Sequence, residues 1–292
     1  MMDVVRTPEE ALEGLPDYPF ESSYRTVDGL RLAHIDEGEG APVIFFHGEP
    51  TWSFLWRKVI PPVRDAGFRC LAPDLAGFGR SDKPSDIAFY SYDRHVELTA
   101  TLLEDLDVHG ATVVVHDWGG PIGLRLAVEH PDRVARLVLL DTGVFTGHQR
   151  MTDTWMAFRE FVARNEDLPV GLLVRRACKR DPGDEVIAAY EAPFPNAGSK
   201  AGARAFPRIL PLEPDAPGAQ AGQRVVAALS KLDRPALVIW GDADPVLPLA
   251  VGERMAELVG ATVEPVDASH FLQEDAGPEI GRRIAAWLTS TA

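Results

Sequence analysis

The sequence predicts an α/β protein: a mostly parallel, eight-stranded sheet flanked by helices, with a helical segment inserted late in the chain. Short apolar, β-branched runs alternate with amphipathic stretches, the pattern of βα units around a parallel sheet. An Asp28-Gly29 pair separates two early strand-like runs, a strong hairpin signal. From about residue 147 to 228 the sheet-type runs stop.

Taken in order, the hairpin strands are expected over 22–27 and 30–35. Further strands are expected over 43–46, 70–72, 112–115 and 137–140, then 236–240 and 262–266. Helices fit between them over 52–66, 92–106, 119–129, 249–258 and 278–288. The interval between the sixth and seventh strands reads as helical pieces over 155–164, 170–178 and 185–190. Pro193, Pro195, Pro207, Pro211, Pro214 and Pro217 interrupt it. The stretch 213–222, rich in Pro, Gly and Ala, reads as a connector. This divides the chain into a core of residues 1–146, a helical cap of 147–228 and a second core segment of 229–292.

Composition limits the function classes. With 46% hydrophobic and 25% charged residues, the 292-residue chain is neither disordered nor collagen-like. It is long enough to bury about three-quarters of its unfolded surface. Asp and Glu total 44 against 29 Lys and Arg, a net charge of −15. That balance lacks the electrostatic footprint of a nucleic-acid binder and is repelled by anionic membrane. Two cysteines, Cys70 and Cys178, suit a reducing compartment and offer no metal-ligand spacing. The N-terminal segment carries early acids without an apolar run, unlike a signal peptide, and no stretch approaches a membrane span of roughly 18 apolar residues. The expectation is a cytoplasmic monomer without cofactor or metal.

The sharpest local feature is Val113-Val114-Val115-His116-Asp117-Trp118-Gly119-Gly120, an apolar strand running through a tight turn into a helix with small residues at its start. Such a turn presents one side chain above the sheet, the nucleophile-elbow layout of α/β hydrolases, where serine is common. Aspartate changes the chemistry: a carboxylate is ionised without a base, the helix N-terminus favours its charge, and it can displace a leaving group from saturated carbon to form an ester. As an isolated residue, Asp117 would read as a helix N-cap.

Three segments together resemble the haloalkane dehalogenases: His47-Gly48-Glu49-Pro50-Thr51-Trp52-Ser53, the run Asp74-Leu75-Ala76-Gly77-Phe78-Gly79-Arg80-Ser81-Asp82-Lys83-Pro84, and His116-Asp117-Trp118-Gly119-Gly120. The HGEP loop and Tyr190-Glu191-Ala192-Pro193-Phe194-Pro195 resemble the subfamily whose catalytic acid follows a late strand. The resemblance implies an α/β-hydrolase fold with a helical cap. It also implies hydrolysis of a small neutral halogenated substrate to a primary alcohol and a halide ion.

His270, in Ala268-Ser269-His270-Phe271-Leu272, follows the last expected strand and is the candidate base, in the chain order nucleophile, acid, histidine. The resemblance places the orienting acid at Asp244, in Trp240-Gly241-Asp242-Ala243-Asp244-Pro245. Asp141 ends the sixth expected strand, where another subfamily carries its acid, and stands as a second partner for His270. Sequence alone does not separate the two.

A departing halide needs hydrogen-bond donors, each worth about 1.5–3 kcal/mol to an ionic partner. The resemblance implies that Trp118 supplies one, and that the backbone N–H groups of Glu49 and Trp118 hold the oxyanion during ester hydrolysis. The Glu49 side chain is expected to position water. The family's second donor is a cap tryptophan whose place aligns with Phe158 or Cys178, neither of which carries an indole. Trp155, one helical turn from Phe158 and the only tryptophan of the cap, is the candidate. Phe158, Phe161, Phe145, Phe206 and Leu272 are candidate cavity-lining residues.

The competing enzyme reading is an epoxide hydrolase, which shares the aspartate elbow. It would use two cap tyrosines, and the cap holds only Tyr190. A non-catalytic binding protein on the same fold is the third reading, and the presence of Asp117, His270 and Asp244 argues against it.

Overall fold

The computed structural model describes residues 3–291. Eight strands form one sheet: β1 (Ser22–Val27), β2 (Leu30–Glu37), β3 (Pro42–Phe46), β4 (Arg69–Pro73), β5 (Ala111–Asp117), β6 (Val134–Thr142), β7 (Ala236–Gly241) and β8 (Val263–Val266). Their spatial order is β8-β7-β6-β5-β3-β4-β2-β1. β1 pairs antiparallel with β2, and β2 with β4; the remaining pairings are parallel. A small antiparallel pair, Val4–Val5 with Lys83–Pro84, stands apart. The hairpin turn has positive φ at both Asp28 and Gly29, as a two-residue loop following strand twist requires.

Central strands are apolar at consecutive positions because helices cover both faces of the sheet. Phe45 and Phe46, Val113–Val115 and Leu137–Leu140 are all buried. The parallel register places His47, Asp117, Asp141 and Gly241 at one carboxyl edge, where ligands bind in open α/β sheets.

Among the described residues ten α-helices accompany the sheet: α1 (Ile60–Asp65), α2 (Tyr92–Asp105), α3 (Gly119–Glu129), α4 (Asp153–Arg164), α5 (Val170–Arg176), α6 (Asp184–Glu191), α7 (Ala201–Ile209), α8 (Ala219–Leu229), α9 (Leu249–Leu258) and α10 (Leu272–Ser290). α4–α8 form the inserted helical region between β6 and β7. None of the described helices is long and apolar enough to cross a membrane.

The departures from the sequence expectation have local causes. The helix expected over 52–66 splits into a 3₁₀ turn, Ser53–Trp56, and α1, because Pro61 and Pro62 are tolerated only in a helix's first turn. α7 accommodates Pro207 near its end, and α8 begins within the stretch expected to be a connector. The last helix begins six residues early and kinks at Ala276 (φ −141°, ψ 22°), two residues before Pro278.

The inserted region is fastened to the core by a buried ionic cluster. Glu274 accepts hydrogen bonds from Arg57 at 2.5 and 2.8 Å, Lys58 at 3.0 Å and the Tyr190 hydroxyl at 2.5 Å. Burial raises the Glu274 carboxyl, but the Arg57 hydrogen bonds and charge outweigh it, so the group lies below its usual range. Asp275 accepts the backbone N–H groups of Lys179, Arg180 and Ser269 at 2.8–2.9 Å, and Phe271 N–H donates to the Ala177 carbonyl at 3.3 Å. Glu274→Leu leaves Arg57 buried without its counter-charge and is expected to cost about 3–5 kcal/mol of unfolding free energy in a urea titration. A loss below about 1 kcal/mol would remove the cluster from the interactions that hold the two regions together.

Candidate active site

The site begins where β5 turns into α3. Asp117 adopts a left-handed conformation, φ 48°, which costs an L residue roughly 1–3 kcal/mol unless its surroundings enforce it. Here they do: Thr142 Oγ1 donates to the Asp117 carbonyl at 2.6 Å, and β3 closes over the turn. A Cβ on Gly48 would lie 2.2 Å from Asp117 Oδ1, and one on Gly119 would lie 2.2 Å from the Phe46 carbonyl oxygen. Only glycine permits that approach. Glu49 N–H donates to Asp117 Oδ1 at 2.7 Å, and the Trp118 N–H also favours the ionised form.

His270 lies between two carboxylates. Its Nδ1 is 2.9 Å from Asp244 Oδ2 and its Nε2 is 3.7 Å from Asp117 Oδ2. Burial opposes the imidazolium, but the charge of Asp244 and hydrogen bonds to Asp117 and Asp244 hold its pKa well above the usual range. Burial likewise opposes ionisation of Asp117, and His270 reverses this to keep the carboxyl below its usual range. Asp244 is also held low: His270 and the N–H groups of Leu247 and Val246, at 3.0 and 2.6 Å, overcome its burial. His116 Nε2 meets the His270 carbonyl at 2.8 Å and steadies that loop; burial, then the neighbouring His270 charge, push His116 down to about 3, so its ring is neutral.

Asp141 is fully buried beside this pair. It accepts Gly241 N–H at 2.8 Å and forms a group with Asp244 and His270 whose nearest ligand atoms lie within 4.8 Å of one another. Burial, then the charge of Asp244, raise its carboxyl well above the usual range. Of the two acids, Asp244 is the one held in its ionised form, and it is Asp244 that meets Nδ1. The grouping has the residue types of a metal site, but the Asp244 and His270 atoms already satisfy each other.

A cavity of about 420 Å³ opens above Asp117, lined by Glu49, Trp118, Trp155, Phe158, Phe161, Leu173, Arg176, Val246 and His270 among others. The Trp52 and Trp240 indoles donate to carbonyls; among the described residues those of Trp118 and Trp155 donate to none. Trp118 is braced by Phe206, stacked at 4.8 Å. The Glu49 carboxyl is pushed well above its usual range by burial and by the charge of Asp117, which favours its neutral form. A wider groove of about 930 Å³ between Leu229 and Trp287 is open to solvent and contains none of these groups.

Trp155 and Phe158 both line the cavity, three residues apart on α4, whereas Cys178 does not. Leu272 is fully buried behind the wall, and its neighbour Phe271 takes the lining place. Phe145 and Phe206 back Trp118 without reaching the cavity, and Tyr190 is committed to Glu274. Leu173, Arg176 and Val246 had no distinguishing sequence signal: their role follows from how the inserted helices fold back over the sheet.

Residues 41–277 match the alpha/beta hydrolase fold family. The chain is 44% identical over 296 residues to a haloalkane dehalogenase from Mycolicibacterium paratuberculosis, covering 98% of each chain. It is 44% identical over 300 residues to haloalkane dehalogenase 1 of Mycobacterium tuberculosis, covering 99% of this chain and all of that one. The tetrameric haloalkane dehalogenase DpaA of Paraglaciecola agarilytica superposes with a TM-score of 0.91 at 34% identity, covering 97% of both chains.

The charge arrangement has a direct test. In ¹⁵N NMR titrations, His270 is expected to stay protonated well above its ordinary pKa of about 6.5. Asp117→Asn removes a supporting negative charge, so its pKa falls. An unchanged titration in that variant would contradict the coupling.

Proposed function

The chain belongs to the haloalkane dehalogenase family, and we propose that Asp117 is the nucleophile with which it breaks the carbon–halogen bond of a small halogenated substrate. The observation that carries this reading is an ionised carboxylate held on the elbow, paired with His270, at the floor of a cavity bearing two unpartnered indole N–H groups. Asp117 Oδ2 attacks the halogen-bearing carbon from the side opposite the leaving group, forming an aspartyl ester as the halide departs. Trp118 and Trp155 donate to the leaving halide, and an indole adds no competing acceptor. Residues 147–228 act as the cap that completes the cavity.

Ester formation changes the electrostatics. Asp117 loses its charge, so one of the supports of the His270 imidazolium vanishes and its proton is released more readily. Neutral His270, oriented by Asp244, then takes a proton from water as that water attacks the ester carbonyl. The oxyanion forms beside the N–H groups of Glu49 and Trp118. Collapse regenerates Asp117 and frees the alcohol. Protonated Glu49 can donate to the water or oxyanion, so it positions rather than repels them. The epoxide reading has less support, because no tyrosine lines the cavity and Tyr190 is engaged elsewhere.

Halide release from 1-bromobutane, with no diol from styrene oxide, is the expected outcome; the reverse would overturn the assignment. His270→Asn should release about one equivalent of halide and stall as a covalent ester visible by mass spectrometry. Asp244→Asn should stall at the same step, with Asp141→Asn milder in pre-steady-state kinetics; full turnover by Asp244→Asn would displace Asp244 from its role. Trp155→Phe should weaken the quenching of tryptophan fluorescence by bromide and slow alkylation, and unchanged values would remove Trp155 from halide binding.

A further inference from the structure

The basic run closing α5 and following it contains Arg175, Arg176, Lys179 and Arg180. Arg175 pairs with Asp181 at 3.0 Å and Asp184 at 2.5 Å, Lys179 with Asp242 at 3.0 Å and with Asp267, and Arg180 with Asp267. Among the described residues, Arg176 alone of the four has no carboxylate within 4 Å, and it alone lines the cavity above Asp117. It is also the only arginine or lysine lining that cavity. Arg176 is solvent-exposed while Trp118 and His270 are buried, so the guanidinium stands at the mouth and the reacting groups at the floor. Phe158, Phe161, Leu173 and Val246 supply apolar wall.

This division of charge orients a substrate. At the floor the one imidazole, His270, already faces both Asp244 and Asp117, whose carboxyls are held low, while burial and these neighbours push Asp141 and Glu49 well above their usual range, so a further anion meets no free cation there. An anionic group is repelled there, while an uncharged carbon–halogen end is not. At the mouth, a free guanidinium offers a fork of N–H donors that matches a carboxylate in two parallel hydrogen bonds.

We infer that Arg176 makes this enzyme selective for ω-halocarboxylates, whose carboxylate stays at the mouth while the halogenated carbon enters against Asp117. The inference rests on the dehalogenase reading and widens the substrate class from neutral haloalkanes to those with an anionic far end. Arg176 takes no part in bond breaking; it sets which end goes in.

The test compares kcat/KM for 6-bromohexanoate and its uncharged counterpart methyl 6-bromohexanoate, both followed by bromide release. Wild type is expected to favour the acid. The acid-to-ester ratio should fall about two- to fivefold in Arg176→Gln, fall further in Arg176→Glu, and fall only in part in Arg176→Lys, which keeps the charge but loses the two-bond fork. The wild-type ratio should also shrink in high salt, because the mouth is exposed and its charge is screened. A ratio that is the same in wild type, Arg176→Gln and Arg176→Glu would overturn the inference, even with bromide release intact on the ester. Absence of bromide release from both substrates in wild type would overturn the dehalogenase reading and the inference with it.

Discussion

A left-handed residue at the end of β5 is the constraint from which the rest of the site follows. The positive φ turns the carboxylate up above the carboxyl edge, where one oxygen meets Glu49 N–H and the other faces His270. That geometry needs β3 to approach within van der Waals reach, so the loops on both sides carry glycine at Gly48 and Gly119. Parallel pairing of β3 with β5, held by the apolar core beneath, keeps those loops in register. The strain is local, and the packing that enforces it is distributed over the sheet.

The electrostatics follow the same logic of few charges, each with a partner. Of the four acids at the floor, Asp117 and Asp244 are held low because the imidazolium between them overcomes their burial, and Glu49 and Asp141 are pushed well above their usual range by burial and then by the charged acid beside each. A third carboxylate charge would have no cation to meet it. On the proposed reading, esterification of Asp117 would remove a charge, and the proton on His270 would become the one least well held.

The inserted helices and the catalytic loop are physically one assembly. Asp275 accepts N–H groups from both the end of α5 and the segment before His270, and Phe271 donates to Ala177. α5 contributes Leu173 and Arg176 to the cavity wall, and Lys179 and Arg180, three and four residues after Arg176, are held through Asp275 to the loop that bears His270. His270 lies four residues before Glu274, whose buried cluster anchors Tyr190.

The sequence by itself determined the α/β class, the hairpin and the alternation of strands and helices, because these depend on local periodicity and turn chemistry. It also singled out Asp117 and His270, because each stands at a strand end or in the loop after one in a short motif, while the family resemblance pointed to Asp244 and Trp118. The tertiary structure decided between groups that local pattern treats alike. Asp141 stands near the end of β6 and Asp244 three residues after β7; burial and the charge of Asp244 raise Asp141, and Nδ1 meets Asp244. Trp155 and Phe158 reach the cavity and Cys178 does not, because α4 folds over the floor while the residues after α5 are drawn to the core. Phe271 takes the lining place expected of Leu272, which is buried at the start of α10. Arg176 is one of four similar basic residues in sequence and the only one facing the cavity in space. Which side chain meets which depends on contacts between segments distant along the chain, and a local pattern carries no record of them.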